Sequence, residues 1–375
     1  MGFFNFTALH RATRRLLLAR ALRSVGQGAL VVDFALYLNA LHWSGVAIGL
    51  VLSASGLFGA ALSLIIGIGS DSIRRKPFLL VYESVAAVGS IVAFLTAQPV
   101  LLSLAAILGA FGRGANGAAG PFSPAEQAWL AEQVAAEKRG FVYSLNSALG
   151  FFGMTFGALL AALPAVWHSA LPGAAGFRPL FLLVTLSSVA NLWLLSRTQE
   201  DHQPADRTRK RERVVSGSGT RREENSALLK LVLVNAFNGA AVGLTGPLIA
   251  YWFARKFGIG PSSIGPVFAL TFLVTGLASL VTGSLSQRVG IVRSVVAGRL
   301  VGLVLLVLLP IIPIYPIAAL VYLLRSALNR GTAGARQALA IGLVTDERRG
   351  TREQPEHGID AAATIDRTVS RRCAA

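Results

Sequence analysis

The sequence predicts an all-α, polytopic membrane protein, and three observations support this fold class. Of the 375 residues, 53% are hydrophobic and only 14% are charged, which is more apolar side chain than one soluble core needs. The apolar residues form many blocks of about 20 residues, the length that an α-helix needs to cross the hydrocarbon layer. These blocks are continuously apolar and do not alternate, so they fit helices and not the strands of a membrane barrel.

Short polar breaks divide the apolar blocks into ten predicted spans. Their approximate bounds are 16–40, 46–67, 78–97, 101–121, 141–163, 179–196, 228–252, 263–284, 291–312 and 315–335. Lys and Arg concentrate in alternate breaks, and the positive-inside rule then places the N-terminus in the cytoplasm. Because the number of spans is even, the C-terminus is expected there too, in a multi-pass protein of the plasma (inner) membrane.

Charge and composition also bear on the function classes that the chain could belong to. A net charge of +17 would fit a nucleic-acid binder, but the basic residues lie between the apolar blocks and form no single basic domain. The single Cys373 and the five scattered His show no ligand spacing, so no metal site is expected. No nucleophile elbow or phosphate loop is found either, and we expect neither a cofactor nor an enzyme.

The chain divides into two halves that share a sequence pattern. Residues 1–196 form the first predicted bundle, residues 197–227 a polar cytoplasmic linker, and residues 228–350 the second bundle. The segment from Ala125 to Gly140 returns 210 positions later as Ala335 to Gly350, which indicates duplicated halves.

The duplication stops after Gly350, where a span follows in the first half but not in the second. Residues 351–375 form a polar tail that cannot cross a membrane. We hypothesise that an eleventh and a twelfth span were lost by a frameshift or truncation near this point. A genuine short cytoplasmic tail is the alternative.

The loop after the second span carries a recognisable motif. Its residues Gly67, Asp71, Arg74, Arg75 and Lys76 resemble the loop signature of the major facilitator superfamily, in which a Gly is followed by an Asp and a basic cluster. The match is partial, because the family has Gly at the place of Arg74. An ordinary positive-inside turn would explain the basic cluster but not the Asp and the glycine.

Two further patterns resemble the same family. In the fourth span, Arg113 and Asn116 resemble the Arg-x-x-Gln-Gly pattern, with Asn in place of Gln. An Arg at that depth should face the bundle interior, on a proton or solute pathway, or snorkel to the cytoplasmic interface. In the fifth span, Gly150, Gly153 and Gly157 resemble the glycine element of the antiporter branch without its Pro. Close helix packing explains the same glycines.

Polar residues in the first span are further candidates for transport or coupling. Arg20, Arg23 and Gln27 share one face of the predicted helix, and Asp33 lies about 15 Å beyond Arg23 by helical rise. Asp33 would serve proton coupling or a buried ion pair, and the sequence does not separate the two. We interpret Glu83, in the third span, as a residue of the cytoplasmic interface.

The resemblance implies a fold and a function. It implies two pseudo-symmetric six-helix bundles, the second with four helices here, and transport of small solutes by alternating access, coupled to protons. The glycine element of the fifth span would correspond to efflux as the direction of transport. The resemblance also implies a monomer, and a contact between Asp71 and an eleventh span. A non-transporting scaffold or receptor, or an inactive truncated transporter, is the alternative function.

Overall fold

The computed structural model describes residues 10–69, 75–109, 111, 120, 123–134, 136–198, 246, 248–289 and 291–332. Regular structure in these ranges is helical throughout. The α-helices are α1 (Arg11–Ala40), α2 (Gly45–Gly69), α3 (Arg75–Leu95), α4 (Pro99–Leu108), α5 (Ser123–Gln133), α6 (Ala136–Leu160), α7 (Arg178–Ser196), α8 (Ile249–Phe257), α9 (Pro261–Val289), α10 (Ile291–Leu308) and α11 (Tyr315–Arg330). The predicted all-α membrane fold is confirmed.

Six of the described helices are long and apolar enough to cross a membrane. They are α1, α2, α3 and α9 together with the helical stretches 140–165 and 173–196, and they coincide with six of the predicted spans. The predicted fourth and ninth spans overlap in part with shorter apolar helices, which cover Pro99–Leu108 and Val296–Leu308. Of the predicted seventh span, only the last part belongs to the described residues, as α8.

The break predicted between the fourth and fifth spans is wrong in its extent. Residues 123–133 form α5, and its Ala125, Trp129 and Leu130 are buried in the helix bundle. Glu126 makes the segment look polar enough to be a loop, yet an ion pair inside the bundle satisfies its charge. The fold therefore buries a helix where the sequence composition predicts a cytoplasmic connection.

Helix ends follow local sequence signals. The first turn of α4 contains Pro99, whose missing N–H costs nothing there, and Gln98 caps the helix by accepting a hydrogen bond from the Leu101 amide at 3.4 Å. Helix α8 ends at Gly258, which adopts the left-handed conformation with φ of 65°. Glycine reaches this conformation without the steric cost that other residues meet.

The core joins helices of both halves of the chain. Helix α6 packs along α1 on one side and along α9 on the other, and α9 also packs against α11. Phe151 of α6, Phe268 and Phe272 of α9, and Tyr322 of α11 belong to one buried cluster. A helix between two partners thus connects the first half to the second.

The outward faces of the helices are apolar. Exposed fractions reach 74% at Leu57 in α2, 62% at Val81 in α3, 70% at Leu186 in α7 and 61% at Leu300 in α10. In water such faces would drive aggregation, but in a bilayer they contact lipid tails at no cost. Their distribution around the bundle matches a multi-pass membrane protein.

Candidate functional site

Asp33 lies buried in α1 and has no hydrogen-bonding partner among the described residues. The residue is 3% exposed, and neither carboxylate oxygen has a donor among the residues that the structure describes. No ion pair to Asp33 is found in these ranges, so the buried ion pair considered from the sequence has no described partner. Burial of an ionised carboxylate without hydrogen-bond donors or water is costly in free energy. Asp33 therefore differs from a structural Asp, whose charge is balanced by a partner.

Gln27 lies in a different environment from Asp33. It lines a small cavity of about 30 Å³ between α1, α3 and α7, together with Arg23, Glu83 and Ser188. A cavity of this size holds one or two water molecules. The amide oxygen of Gln27 is buried without a partner in the described structure, and a water in this cavity would supply the missing donor.

Several predicted site residues lie outside the described residues. They are Arg113 and Asn116 of the fourth span and Asp71 and Arg74 of the loop motif. Gly67 belongs to the last part of α2, and Arg75 begins α3.

A buried ion-pair network connects three helices of the first half. Arg23 of α1 donates through Nε to Glu83 of α3 and, at 2.8 Å, through Nη1 to Glu126 of α5. Exposed fractions are 6%, 1% and 2%. The interpretation of Glu83 as an interface residue is therefore wrong, because its carboxylate is needed inside the bundle to balance Arg23.

Arg20 adds a second positive charge to this network. The residue is 1% exposed, and Glu126 attracts its guanidinium group. Two arginines and two glutamates thus form a cluster of zero net charge, which we call the charge quartet. Gly150 of α6 makes room for it, because a Cβ at position 150 would lie 2.7 Å from Nε of Arg20.

The remaining glycines of the fifth-span motif bring α6 against the backbone of α1. A Cβ on Gly153 would contact the carbonyl oxygen of Ala21, and a Cβ on Gly157 would contact that of Val25. From the opposite side, Gly28 of α1 lies against Met154, whose Cα would be 2.7 Å from an added Cβ. This glycine seam, formed by Gly28, Gly153 and Gly157, has the contacts that the packing interpretation requires.

Lys76 of the loop motif holds the end of α7. Its ammonium group donates to the carbonyl oxygens of Ser196 at 2.7 Å and of Thr198 at 2.8 Å. Arg15 of α1 donates to the carbonyl of Arg197 in the same turn. The last carbonyls of a helix have no partner inside the helix and carry partial negative charge, so two cations stabilise this end.

We expect the substitution Lys76→Met to loosen the end of α7. Methionine keeps much of the apolar stem but removes both donors, at a cost of about 1–2 kcal/mol for hydrogen bonds from a partly exposed charge. Amide hydrogen exchange over residues 194–198 should then accelerate about tenfold. Lys76→Arg keeps a cationic donor and is the matched control; equal acceleration in both variants would contradict the capping role.

The sequence analysis missed Glu83 and Glu126 as members of one network. One signal was present: the predicted spans of the first half contain charges of both signs, namely Arg20, Arg23, Arg113, Asp33 and Glu83. Because charges inside a bilayer almost always pair, this mixture of signs favours mutual neutralisation. The spacing along the chain, 60 and 103 positions from Arg23, hides the contacts.

Comparisons with known proteins identify the family. A search among curated proteins finds no match. Among solved structures, the chain resembles the xylose transporter XylE from E. coli, with 14% identity, a TM-score of 0.61 and coverage of 88% of this chain and 85% of that one. It also resembles a bacterial homologue of the human lysosomal transporter Spinster, with 17% identity, a TM-score of 0.60 and coverage of 90% and 76%. The nucleoside transporter NupG follows with 13% identity, a TM-score of 0.58 and coverage of 86% and 80%.

The model of the Major Facilitator Superfamily matches residues 16–230, more than half of the sequence. This chain therefore belongs to the Major Facilitator Superfamily, a family of membrane transporters.

Proposed function

We propose that the protein is a secondary active transporter, which moves small solutes by alternating access and couples their movement to protons through Asp33. Membership of the Major Facilitator Superfamily supports the transporter class. The similar solved structures are named as carriers of xylose and nucleosides, and small solutes are the corresponding substrate class for this chain. On the basis of its basic breaks, we place the protein in the plasma (inner) membrane with both termini cytoplasmic. We further propose that it acts as a monomer.

The proposed movement needs two units that move relative to each other. We assign residues 1–196 and 228–350 to these units, 197–227 to the linker and 351–375 to the tail. The contact of α6 with α9 supports the assignment, since it brings first-half and second-half helices together through small residues. A Cβ on Gly265 would lie 2.7 Å from the carbonyl oxygen of Ala158, and one on Gly276 would lie 2.8 Å from Phe152. Smooth, close contacts of this kind allow one unit to rock on the other.

The buried carboxyl group of Asp33 is the observation that carries the proton-coupling proposal. A neutral carboxylic acid tolerates a site without donors, whereas the carboxylate needs a cation or water. Protonated Asp33 would therefore favour its donor-free site, and ionised Asp33 would favour a site with a cation or water. We propose Arg113, with Asn116 three residues on, as the partner that the ionised form meets during the cycle, because an Arg in the fourth predicted span needs the same neutralisation.

We expect Asp33→Asn to abolish solute-driven proton movement. The measurement uses purified protein in liposomes loaded with a pH-sensitive dye and a panel of sugars, nucleosides and aromatic sulfonates added outside. The wild type should change the internal pH with at least one of these solutes, and the direction of the change shows whether solute and proton move together or in exchange. Export, which the glycine pattern favours by resemblance, corresponds to exchange of external protons for internal solute.

The same variant separates coupling from a structural role. Asn keeps the shape of the side chain and needs no deprotonation, so Asp33→Asn should retain exchange of labelled solute against unlabelled solute, with proton flux lost. If proton flux persists in the variant, Asp33 is not the coupling group. If no solute of the panel moves in the wild type, the transport proposal fails and the scaffold alternative gains support.

A further inference from the structure

The part of the second half that the structure describes contains buried positive charge and no acidic residue. From residue 225 to residue 345 the sequence contains no Asp and no Glu, while its basic residues are Lys230, Arg255, Lys256, Arg288, Arg293, Arg299, Arg325, Arg330 and Arg336. In the first half, Glu83 and Glu126 neutralise the buried arginines Arg20 and Arg23. Among the residues of the second half that the structure describes, no carboxylate is available as a counter-charge.

Two of these arginines line one cavity within the helix bundle. The cavity measures about 260 Å³ and lies between α8, α10 and α11. Apolar and aromatic side chains, among them Trp252, Leu306, Leu309 and Tyr322, form much of its wall, and Arg325 and Arg330 enter from α11. Such a composition, mostly apolar with a few convergent polar groups, is typical of small-molecule sites.

The guanidinium group of Arg330 is held in place but only partly satisfied. The residue is 8% exposed, its Nη2 donates to the hydroxyl of Tyr322 at 3.3 Å, and its Cζ lies 5.7 Å from the centre of the Tyr322 ring. Its Nη1 has no acceptor among the described residues. The tyrosine therefore orients the arginine and leaves a donor for another group.

Arg325 supplies a second donor and a second charge. Its Nε is buried without an acceptor in the described ranges, and the positive charge of Arg330 repels it. By helical rise, Arg325 and Arg330 lie about 15 and 22 Å along α11 from Tyr315, and Arg330 is its last residue. Two mutually repelling cations whose buried donors have no acceptor in the described ranges are costly in free energy unless an anion accepts from both.

We propose that this cavity binds a molecule that carries one oxyanionic group on an apolar body. A carboxylate, sulfonate or phosphate accepts hydrogen bonds from Arg325 and Arg330 together, and such charge-assisted bonds are the strong ones. The ring of Trp252 and the leucines of α10 contact the apolar body. As a binding site the cavity stands by itself; as the substrate site it rests on the proposed transport function.

Naphthalene-2-sulfonate is the probe that tests this site, and naphthalene-2-sulfonamide is its uncharged match. Both have the same ring and nearly the same shape, so they differ at the group that the arginines would contact. The sulfonate should raise the melting temperature of the purified wild-type protein and bind in a titration, and the sulfonamide should do neither. Equal stabilisation by both compounds would overturn the proposal, since burial of the ring alone would then explain binding.

Charge-removing variants locate the effect in the cavity. Arg325→Gln and Arg330→Gln should each weaken sulfonate binding about tenfold or more, the loss expected for a hydrogen bond to a charged group. Arg255→Gln, at an exposed position at the end of α8, removes the same charge from the same half and should leave binding unchanged. An equal loss in Arg255→Gln would show that only the general positive charge attracts the probe.

Native mass spectrometry distinguishes a solute from a lipid as the natural source of the anion. If the wild type retains phosphatidylglycerol through purification and both cavity variants lose it, the oxyanion is a lipid phosphate, and added sulfonate should displace the lipid. If no lipid is retained while the sulfonate binds, the anion is a solute. These experiments measure binding and not flux, so they can be interpreted even if the protein transports nothing. If neither the probe nor a lipid binds, the binding-site proposal is wrong, and the transport proposal is unaffected.

Discussion

Gly157→Ala is expected to prevent α1 and α6 from packing in their native register. The added Cβ would contact the carbonyl oxygen of Val25 and would lie 2.7 Å from the amide nitrogen of Ala29 and 2.9 Å from Cα of Gly28. These atoms are backbone, so no side-chain rotation relieves the overlap. We expect a loss of at least about 3 kcal/mol, the upper part of the range for overpacked cores.

The large effect follows from how membrane helices associate. Lipid tails are as apolar as leucine, so burial of apolar area does not hold α1 to α6, and close van der Waals contact does. A methyl group that separates the two backbones removes these contacts along the whole glycine seam. The measurement is the monodisperse fraction after extraction in a mild detergent, followed by thermal unfolding of that fraction.

Gly140→Ala is the matched control for this prediction. Gly140 lies on α6 as well, and a Cβ there would meet nothing within 4 Å. Because Ala favours the helical conformation over Gly by about 1 kcal/mol, this variant should be neutral or slightly more stable. Equal stability of Gly157→Ala and Gly140→Ala would show that α1 and α6 do not approach as closely as described.

The sequence alone predicts the spans well and the connections poorly, for a physical reason. A span can be predicted from local sequence, because it needs about 20 consecutive apolar residues. Helices α1, α2, α3 and α9 show this pattern. Local composition does not predict α5 as a buried helix, because Glu126 and Gln133 make this segment polar. Only the tertiary contact with Arg23 shows why this segment is buried.

The candidate site also has features that local sequence predicts and features that depend on tertiary contacts. Spacing on one helix predicts a shared face for Arg20, Arg23 and Gln27, since helical periodicity is a local property, and Arg23 and Gln27 line the same cavity. The partners of those residues come from α3 and α5, and no local pattern specifies them. Asp33 could be recognised from the sequence as a carboxyl group inside a span, but its lack of described donors is a property of the packed structure.

Arg23→Met is the second variant with a large expected effect, because it breaks the charge quartet. Glu83 would lose its ion-pair partner, and Arg20 alone would face two buried carboxylates. Removal of one member of a buried ion pair costs about 3–5 kcal/mol, since the remaining charge stays desolvated and uncompensated. Thermal unfolding in detergent should show a clear drop relative to the wild type. Arg11→Met, at the exposed first position of α1, loses the same charge and should behave like the wild type.

The double variant Arg23→Met/Glu83→Met tests whether charge balance, and not the shape of Arg23, causes that loss. It removes one cation and one anion and leaves Arg20 with Glu126, which attract each other. Replacement of a buried pair by apolar side chains of similar volume is often neutral, so the double variant should regain most of the stability that Arg23→Met loses. Additive losses in the two single variants and the double variant would mean that Arg23 and Glu83 contribute independently. Recovery, in contrast, would show that the first half neutralises its buried arginines internally, whereas the described part of the second half has no carboxylate for that purpose.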